Sequence, residues 1–291
     1  MPANHPYVIV GASLAGAKAA ETLRDEGFDG AVVLIGAEDE LPYERPPLSK
    51  GYLLGKDARD SMLVHDEGWY AEHDVDLRRA TIVTSIDRSG HRVGLDSGDF
   101  VQYDRLLIAA GASPRRLDIP GCDLDGVHYL RTVGDSERLS AALRGGGKVV
   151  VAGGGWIGLE TAAAAREYGC EVTILEPESG VLQRALGPEV GEVFAGLHRS
   201  HGVTIRFGES LSEVTGSGGA VTGAISSSGE ELPAQTVIIA VGIAPNTGLA
   251  ADAGLEVDNG IVADQGLRSS DPDIFAAGDV ANAFNTLLGR R

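Results

Sequence analysis

The sequence predicts an α/β fold in which one strand–turn–helix–strand pattern is used twice, the second copy inserted within the first. Three observations predict it. An apolar strand-like run leads through a glycine-rich turn into a helix-like run at VIVGASLAG (8–16) and again at VVVAGGGWIGLE (149–160). Each is followed by another apolar strand and then by short alternating runs rich in turn residues. A C-terminal stretch, DNGIVADQGLRSSDPDIFAAGDV (258–280), carries two strand-like pieces with no new sheet to join, so they are expected to return to the first. Internal duplication of this kind organises the chain.

The elements follow in order. Residues 7–10 read as a buried parallel strand, 13–26 as an amphipathic helix with Leu14, Ala17, Ala20 and Leu23 on one face, and 31–35 as the next strand. A polar connection with the proline-rich PYERPPLSK (42–50) precedes a short helix over 67–73. ATIVTSID, HRVGLDSG and FVQYD (80–104) alternate as an antiparallel meander, and 105–110 returns to the core strand type. Asp135 is expected to cap a helix ending at Arg144. Strand 148–152, helix 157–168 and strand 171–175 then repeat the opening order. A helix over 188–200, a series of short strands over 203–225, and a strand over 236–240 ending in GIAPN complete the second copy. The expected domains are 1–113 with 243–291, and 114–242.

With 291 residues, 43% of them hydrophobic and 23% charged, the chain fills about two ordinary globular domains. Its longest apolar run, VIIAVGIA (237–244), is far short of the roughly 20 residues of a spanning helix. The leading MPANHP runs almost directly into a strand, so a cytoplasmic protein without a signal peptide is expected. A net charge of −18 argues against nucleic acid and anionic membrane as partners. Cys122 and Cys170 form no CxxC pair, and the histidines form no ligand cluster, so neither a redox-active disulfide of usual spacing nor a metal site is expected.

A glycine turn before a helix brings backbone close to a pyrophosphate and aims the helix N-terminus at its charge. In the second turn Gly153 makes the tight corner, Gly155 admits the pyrophosphate, and Gly158 allows close helix–strand packing. Glu176, at the end of the next strand, is placed to accept from a ribose 2′-hydroxyl. A 2′-phosphate about 4 Å from that carboxylate would be repelled by roughly 1–4 kcal/mol per charge. The neighbouring Pro177 and Glu178 offer no cation, which points to NADH rather than NADPH. In the first turn Gly11 and Gly16 keep their places but Ser13 replaces the middle glycine, with Glu38 as the ribose acceptor. IFAAGD (274–279) puts Asp279 at a strand's C-terminal edge, where it can accept from the hydroxyls of a flavin's ribityl chain. Two dinucleotide cradles in one chain imply electrons passing between two cofactors.

LPYERPPLSKGYL, AAGASP, GGGWIGLE and IFAAGD, in this order, resemble the FAD-dependent NADH:ferredoxin reductases of bacterial oxygenase systems, the putidaredoxin, rubredoxin and biphenyl-dioxygenase ferredoxin reductase type. These belong to the pyridine nucleotide-disulfide oxidoreductase superfamily. The resemblance covers essentially the whole chain, and PPLSK is its most specific part. Where related disulfide reductases carry cysteines, this chain has Pro46, Pro47 and Ser49.

The resemblance implies two Rossmann-like domains, for FAD and for NAD, and a C-terminal interface domain that this sequence lacks. It implies FAD contacts at Ala15, Glu38, Arg45, Pro46, Lys50, Val83, Ala110, Gly111, Arg131 and Asp279. It implies NAD contacts at Trp156, Ile157, Glu160 and Gly242 beside the glycines and Glu176. Lys50 and Glu160 would pair beside the flavin ring and take the catalytic part. Read as a buried pair, losing either partner would strand a charge at roughly 3–5 kcal/mol. The family usually has an acidic residue where this chain has Ala37, beside Glu38.

The expected activity is hydride transfer from NADH to FAD, then single electrons to a [2Fe–2S] ferredoxin or a rubredoxin. The alternatives are reduction of a small acceptor (quinone, monodehydroascorbate or dioxygen) and a redox-regulated FAD-binding protein.

Overall fold

The structure, a computed structural model, describes residues 5–290, so most of the MPANHP run lies outside the described residues. The chain is a mixed α/β protein of two compact units. One comprises Met1–Glu44, Asp60–Ser113 and Ala244–Arg291; the other comprises Arg45–Arg59 and Pro114–Ile243.

The first unit is built on a five-stranded parallel sheet in the order Ile274–Ala276, Arg105–Ile108, Tyr7–Val10, Val32–Ile35, Val75–Arg78. Tyr7 lies opposite both Val32 and Arg105. All four residues of Val32–Ile35 are buried, the mark of a strand covered on both faces. Helix Leu14–Asp25 lays Gly16, Ala17 and Ala20 inward. Strand Val75–Arg78 escaped the sequence reading because VDLR, with Asp76 exposed, lacks the apolar run of an inner strand; it forms the sheet edge. The meander Val83–Asp87, Arg92–Leu95, Phe100–Gln102 is antiparallel as expected, and its Ile86, Val93 and Val101 join the core.

Of the two late strand-like pieces only Ile274–Ala276 enters the parallel sheet, where it takes the edge beside Arg105–Ile108. Ile261–Ala263 pairs instead with Ala281–Ala283, a separate two-stranded sheet.

The second unit repeats the plan in the order Val203–Phe207, Glu171–Glu176, Lys148–Ala152, Thr236–Ile239, Val127–His128. Val203–Phe207 therefore belongs to the parallel sheet, not to the short antiparallel series that follows it (Leu211–Ser217, Ala220–Ser226, Glu231–Pro233). Thr132, not Asp135, caps helix Val133–Arg144. The Thr132 side chain accepts from the Asp135 N–H, and the Asp135 carboxylate accepts from the Thr132 N–H. Asp135 is the far half of a capping box, three residues inside the helix. Helix Gln183–Ser200 breaks at Gly187, so its regular part starts at Pro188, where proline suits a first turn.

Segment Arg45–Arg59 is stapled within this unit. The Ser136 hydroxyl donates to the Leu48 carbonyl (2.8 Å), the Tyr168 hydroxyl to the Leu53 carbonyl (2.9 Å), and Lys56 pairs with Glu167 (2.6 Å). Both cysteines are free. Cys170 is fully buried, which pushes its thiol pKa up despite the opposing charge of Arg166.

The two copies match bond for bond. Gly11 N–H donates to the Ile35 carbonyl (2.8 Å), as Gly153 N–H does to Leu175 (2.8 Å). Ala109 N–H donates to Val10 (2.7 Å), as Ala240 N–H does to Ala152 (2.8 Å).

Candidate functional site

In the second unit, strand Lys148–Ala152 ends at Gly153, whose φ of +106° only glycine adopts cheaply, with the Ala240 carbonyl where a Cβ would be. Five residues on, a Cβ at Gly158 would strike the Gly153 carbonyl, so helix Trp156–Glu167 can start this close to the strand only with glycine there. Gly155, the N-cap, differs from both. Its φ is an ordinary −78°, nothing lies within 4 Å of where its Cβ would be, and no side chain caps the helix. Its space and the orphan N–H groups of the first turn are open to a phosphate.

Glu176 is buried at 8% exposure, and its carboxylate accepts N–H groups from Gly154 (2.6 Å) and Glu178 (2.8 Å). A Cβ at Gly154 would sit 3.0 Å from Glu176 Oε2 and 2.9 Å from Val181 Cγ1. The Val181 side chain and the Glu176 carboxylate together crowd the side-chain space of Gly154. Leu182 N–H donates to the Gly154 carbonyl (3.1 Å), so the chain beyond Glu176 wraps back over the turn.

The same turn in the first unit distributes its bulk differently. Gly11 has φ +117°, and a Cβ at Gly16 would strike the Gly11 carbonyl, as in the other copy. By the matched bonds, however, Ala12 stands for Gly154 and Gly36 for Glu176. A Cβ at Gly36 would lie 2.6 Å from that of Ala12. The acidic residue comes two positions later: Glu38 accepts the Tyr43 hydroxyl at 2.7 Å. Ser13 caps helix Leu14–Asp25 by position but not with its side chain, whose hydroxyl lies 3.5 Å from the Tyr43 carbonyl. The Ser13 side chain thus leaves the first helix N–H groups uncapped. A Cβ at Gly278 would lie 2.9 Å from that of Ala15, which brings the Gly278–Asp279 corner against this helix start, with Asp279 exposed. Ala110 and Gly111 follow the adjacent strand, their carbonyls accepting from Asn246 Nδ2 (2.8 Å) and Asn246 N–H (2.9 Å). Val83 is half-buried on the same core.

Lys50 and Glu160 both lie in the second unit and form an ion pair, Nζ to Oε1 2.8 Å. The Ser49 hydroxyl, itself buried, donates to the other oxygen, Oε2, at 2.5 Å. The pair is not buried as the sequence reading supposed: the Lys50 side chain is 52% exposed and that of Glu160 24%. Deleting one partner therefore costs on the surface scale, about 0–1 kcal/mol, not that of a stranded core charge. Arg45 Nη1 donates to the Arg131 carbonyl (2.5 Å), and Lys50 Nζ lies 3.5 Å from the Pro46 carbonyl, which joins the PPLSK residues to Arg131. Trp156 and Ile157 project at 48% and 39% exposure, Trp156 edge-on to Phe194. Gly242 has φ +105°, and its carbonyl accepts from Arg115 N–H (2.9 Å).

Sequence reasoning missed Ser49, Tyr43, Gly154, Asn246 and Arg184. The last is a cation after all within reach of the Glu176 neighbourhood: Arg184 Nη2 lies 2.5 Å from Glu178 Oε1. Its signal in the sequence is a basic residue opening the next helix. Among the described residues no group of His, Cys, Asp and Glu could hold a metal ion, and no helix is long and apolar enough to cross a membrane.

Each glycine turn leads into a helix whose first turn no side chain caps, the kind of N–H cluster a pyrophosphate would need. The model of the pyridine nucleotide-disulphide oxidoreductase family matches residues 5–288. Rhodocoxin reductase of Rhodococcus erythropolis is 41% identical over 274 residues, covering 94% of this chain and 64% of that protein. The ferredoxin–NAD(+) reductase component of the anthranilate 1,2-dioxygenase system of Burkholderia cepacia is 44% identical over 288 residues, covering 98% of this chain and 70% of that protein. The chain thus spans about two thirds of the length of these relatives. Putidaredoxin reductase, in its covalent complex with putidaredoxin, superposes with a TM-score of 0.95 at 39% identity, covering 99% of this chain and 70% of that one.

Proposed function

The chain belongs to the pyridine nucleotide-disulphide oxidoreductase family, and from that membership we propose that it is a flavoprotein reductase using FAD and NADH to reduce a [2Fe–2S] ferredoxin or a rubredoxin that serves an oxygenase. The observation that carries the proposal is the second glycine turn, where Gly154 makes room for a buried Glu176 carboxylate beside an uncapped helix start. The names of the relatives support the iron–sulfur partner: an anthranilate dioxygenase reductase component, and a putidaredoxin reductase in complex with putidaredoxin.

FAD, when bound, supplies the two-electron to one-electron conversion that a nicotinamide cannot perform alone. The chain's own residues bind and orient. We assign FAD to a domain of residues 1–113 and 243–291, less the segment Arg45–Arg59 that belongs to the second unit, and NAD to an inserted domain of residues 114–242, both Rossmann-like. Backbone at Gly11, Ser13, Ala15 and Gly16 would hold the FAD pyrophosphate, Glu38 a ribose, and Asp279 the ribityl hydroxyls. Val83, Ala110, Gly111, Arg45, Pro46 and Arg131 would complete the FAD contacts.

Gly153, Gly155 and Gly158 would hold the NADH pyrophosphate, with Trp156, Ile157 and Gly242 beside it. Glu176 has two oxygens fixed by backbone N–H groups, so it would accept from a ribose hydroxyl without reorganising. Lys50 would place a cation near the flavin, and Glu160, held by Ser49, would compensate it. No side-chain nucleophile is required, and the buried, proton-holding Cys170 offers none. A cytoplasmic location is proposed with this role, supported by two unpaired thiols.

The test is anaerobic mixing of FAD-replete protein with NADH. The flavin absorbance bleaches, and cytochrome reduction then depends on added ferredoxin. Absence of bleaching refutes the reductase reading, and ferredoxin-independent turnover with a quinone or dioxygen refutes the partner.

A further inference from the structure

The Glu176 carboxylate is only part of the charge around the ribose it is proposed to read. Glu178 follows it closely: its N–H donates to Glu176 Oε1 (2.8 Å), and its own carboxylate turns to Arg184 (Nη2 2.5 Å, Nε 3.2 Å). Arg184 is brought there by backbone. Leu182 sits in the left-handed region (φ 52°) and donates its N–H to the Gly154 carbonyl (3.1 Å), so helix Gln183–Ser200 begins at the lip of the glycine turn. Two residues later, the Arg184 side chain is 88% exposed and engaged only along one edge of its guanidinium.

We propose that the Glu178–Arg184 ion pair is a second determinant of nicotinamide specificity, in which Glu178 ties up a cation that would otherwise receive a ribose 2′-phosphate beside Glu176. The inference rests on the reading of this turn as the NAD site. The charges decide it. Glu176, Glu178 and Arg184 together leave one net negative charge where a 2′-phosphate would lie, and that repels a dianion. With Glu178 neutral, Glu176 and Arg184 cancel, and the guanidinium fork, whose planar donors match phosphate, is free. The Arg184 pKa is raised, first by the hydrogen bond to Glu178 and by its charge, with Glu176 adding to both. The guanidinium thus feels the two carboxylates together. The interaction is exposed, so its worth is modest and screened by salt.

The experiment is calorimetric titration of NAD+ and NADP+, which differ only in the 2′-phosphate, into the FAD-replete 291-residue protein, its Glu178→Gln variant and the Glu178→Gln/Arg184→Gln double variant. Neither ligand delivers hydride, so the readout is binding alone. Glu178→Gln is expected to tighten NADP+ by roughly fivefold to tenfold at low salt and to leave NAD+ within about twofold. The double variant is expected to lose the gain. Unchanged NADP+ affinity in Glu178→Gln, with NAD+ bound as before, overturns the proposal. So does a gain that persists without Arg184, since Glu178 would then act by its charge alone. If the unsubstituted protein binds neither nucleotide, the NAD reading itself falls and takes this inference with it.

Discussion

Gly155→Ala separates what the glycine turn does for the fold from what it does for a ligand. At this position φ is −78°, which alanine tolerates, and the added methyl meets no protein atom within 4 Å. Two small effects on stability oppose each other. Alanine restricts the unfolded chain, a gain of about 0.4–1 kcal/mol, but it is a poorer N-cap than glycine, a loss of about the same size. The net change in urea unfolding is expected to stay within about 0.5 kcal/mol.

Binding has no such cancellation. On the proposed reading, the methyl would occupy the space through which a pyrophosphate reaches the orphan N–H groups of helix Trp156–Glu167. A hydrogen bond to a charged group is worth about 1.5–3 kcal/mol, so losing one or two should weaken NAD+ by tenfold to a hundredfold or more in calorimetry. Gly158→Ala is the counterpart, since its methyl strikes the Gly153 carbonyl and should destabilise the fold directly. If Gly155→Ala binds NAD+ like the unsubstituted protein, the turn does not cradle a phosphate and the reasoning fails.

Three further outcomes are expected. Glu176→Ala should narrow the preference for NADH over NADPH without changing flavin content, read as the ratio of the two dissociation constants. Glu160→Gln should cost no more than about 1 kcal/mol in urea unfolding, because Lys50 is half-exposed, yet should change the rate at which NADH bleaches the flavin. Arg88→Ala should unlink an acid-sensitive contact of the first unit. Burial alone would raise the Asp271 pKa, but hydrogen bonds from Arg88 and the Asp273 N–H outweigh it and hold the pKa below its ordinary 3.8. That stability is present above pH 3.8 and lost as pH falls below it. The urea midpoint should therefore fall below about pH 4 in the unsubstituted protein, and less steeply in Arg88→Ala.

Much of this molecule could be read from residue order, because buried parallel strands and glycine turns leave dense local signals. The strands around Gly11 and Gly153, and the meander after Ala80, rest on periodicity over a few residues. What escaped depends on partners distant in sequence. Val75–Arg78 is a strand by virtue of the edge it adds to, Val203–Phe207 reads as a strand from its sequence but not as part of the parallel sheet, and Ile261–Ala263 finds its partner in Ala281–Ala283. The cap of helix Val133–Arg144 lay three residues upstream because Asp135 suits either end of a capping box. In the candidate site, the exposure of Lys50, the hold of Ser49 on Glu160 and the return of Arg184 to Glu178 are side-chain geometry that spacing does not encode.

The contrast between Ala12 with Gly36 and Gly154 with Glu176 constrains how either cradle can change over generations. The two places adjoin one small volume, so bulk at the corner and bulk at the strand end trade against each other: a Cβ at Gly36 would lie 2.6 Å from that of Ala12, and one at Gly154 would press on Val181 and the Glu176 carboxylate. A lineage converting one arrangement into the other is eased by a form with glycine at both places. Chains that differ here should therefore tend to differ at both positions.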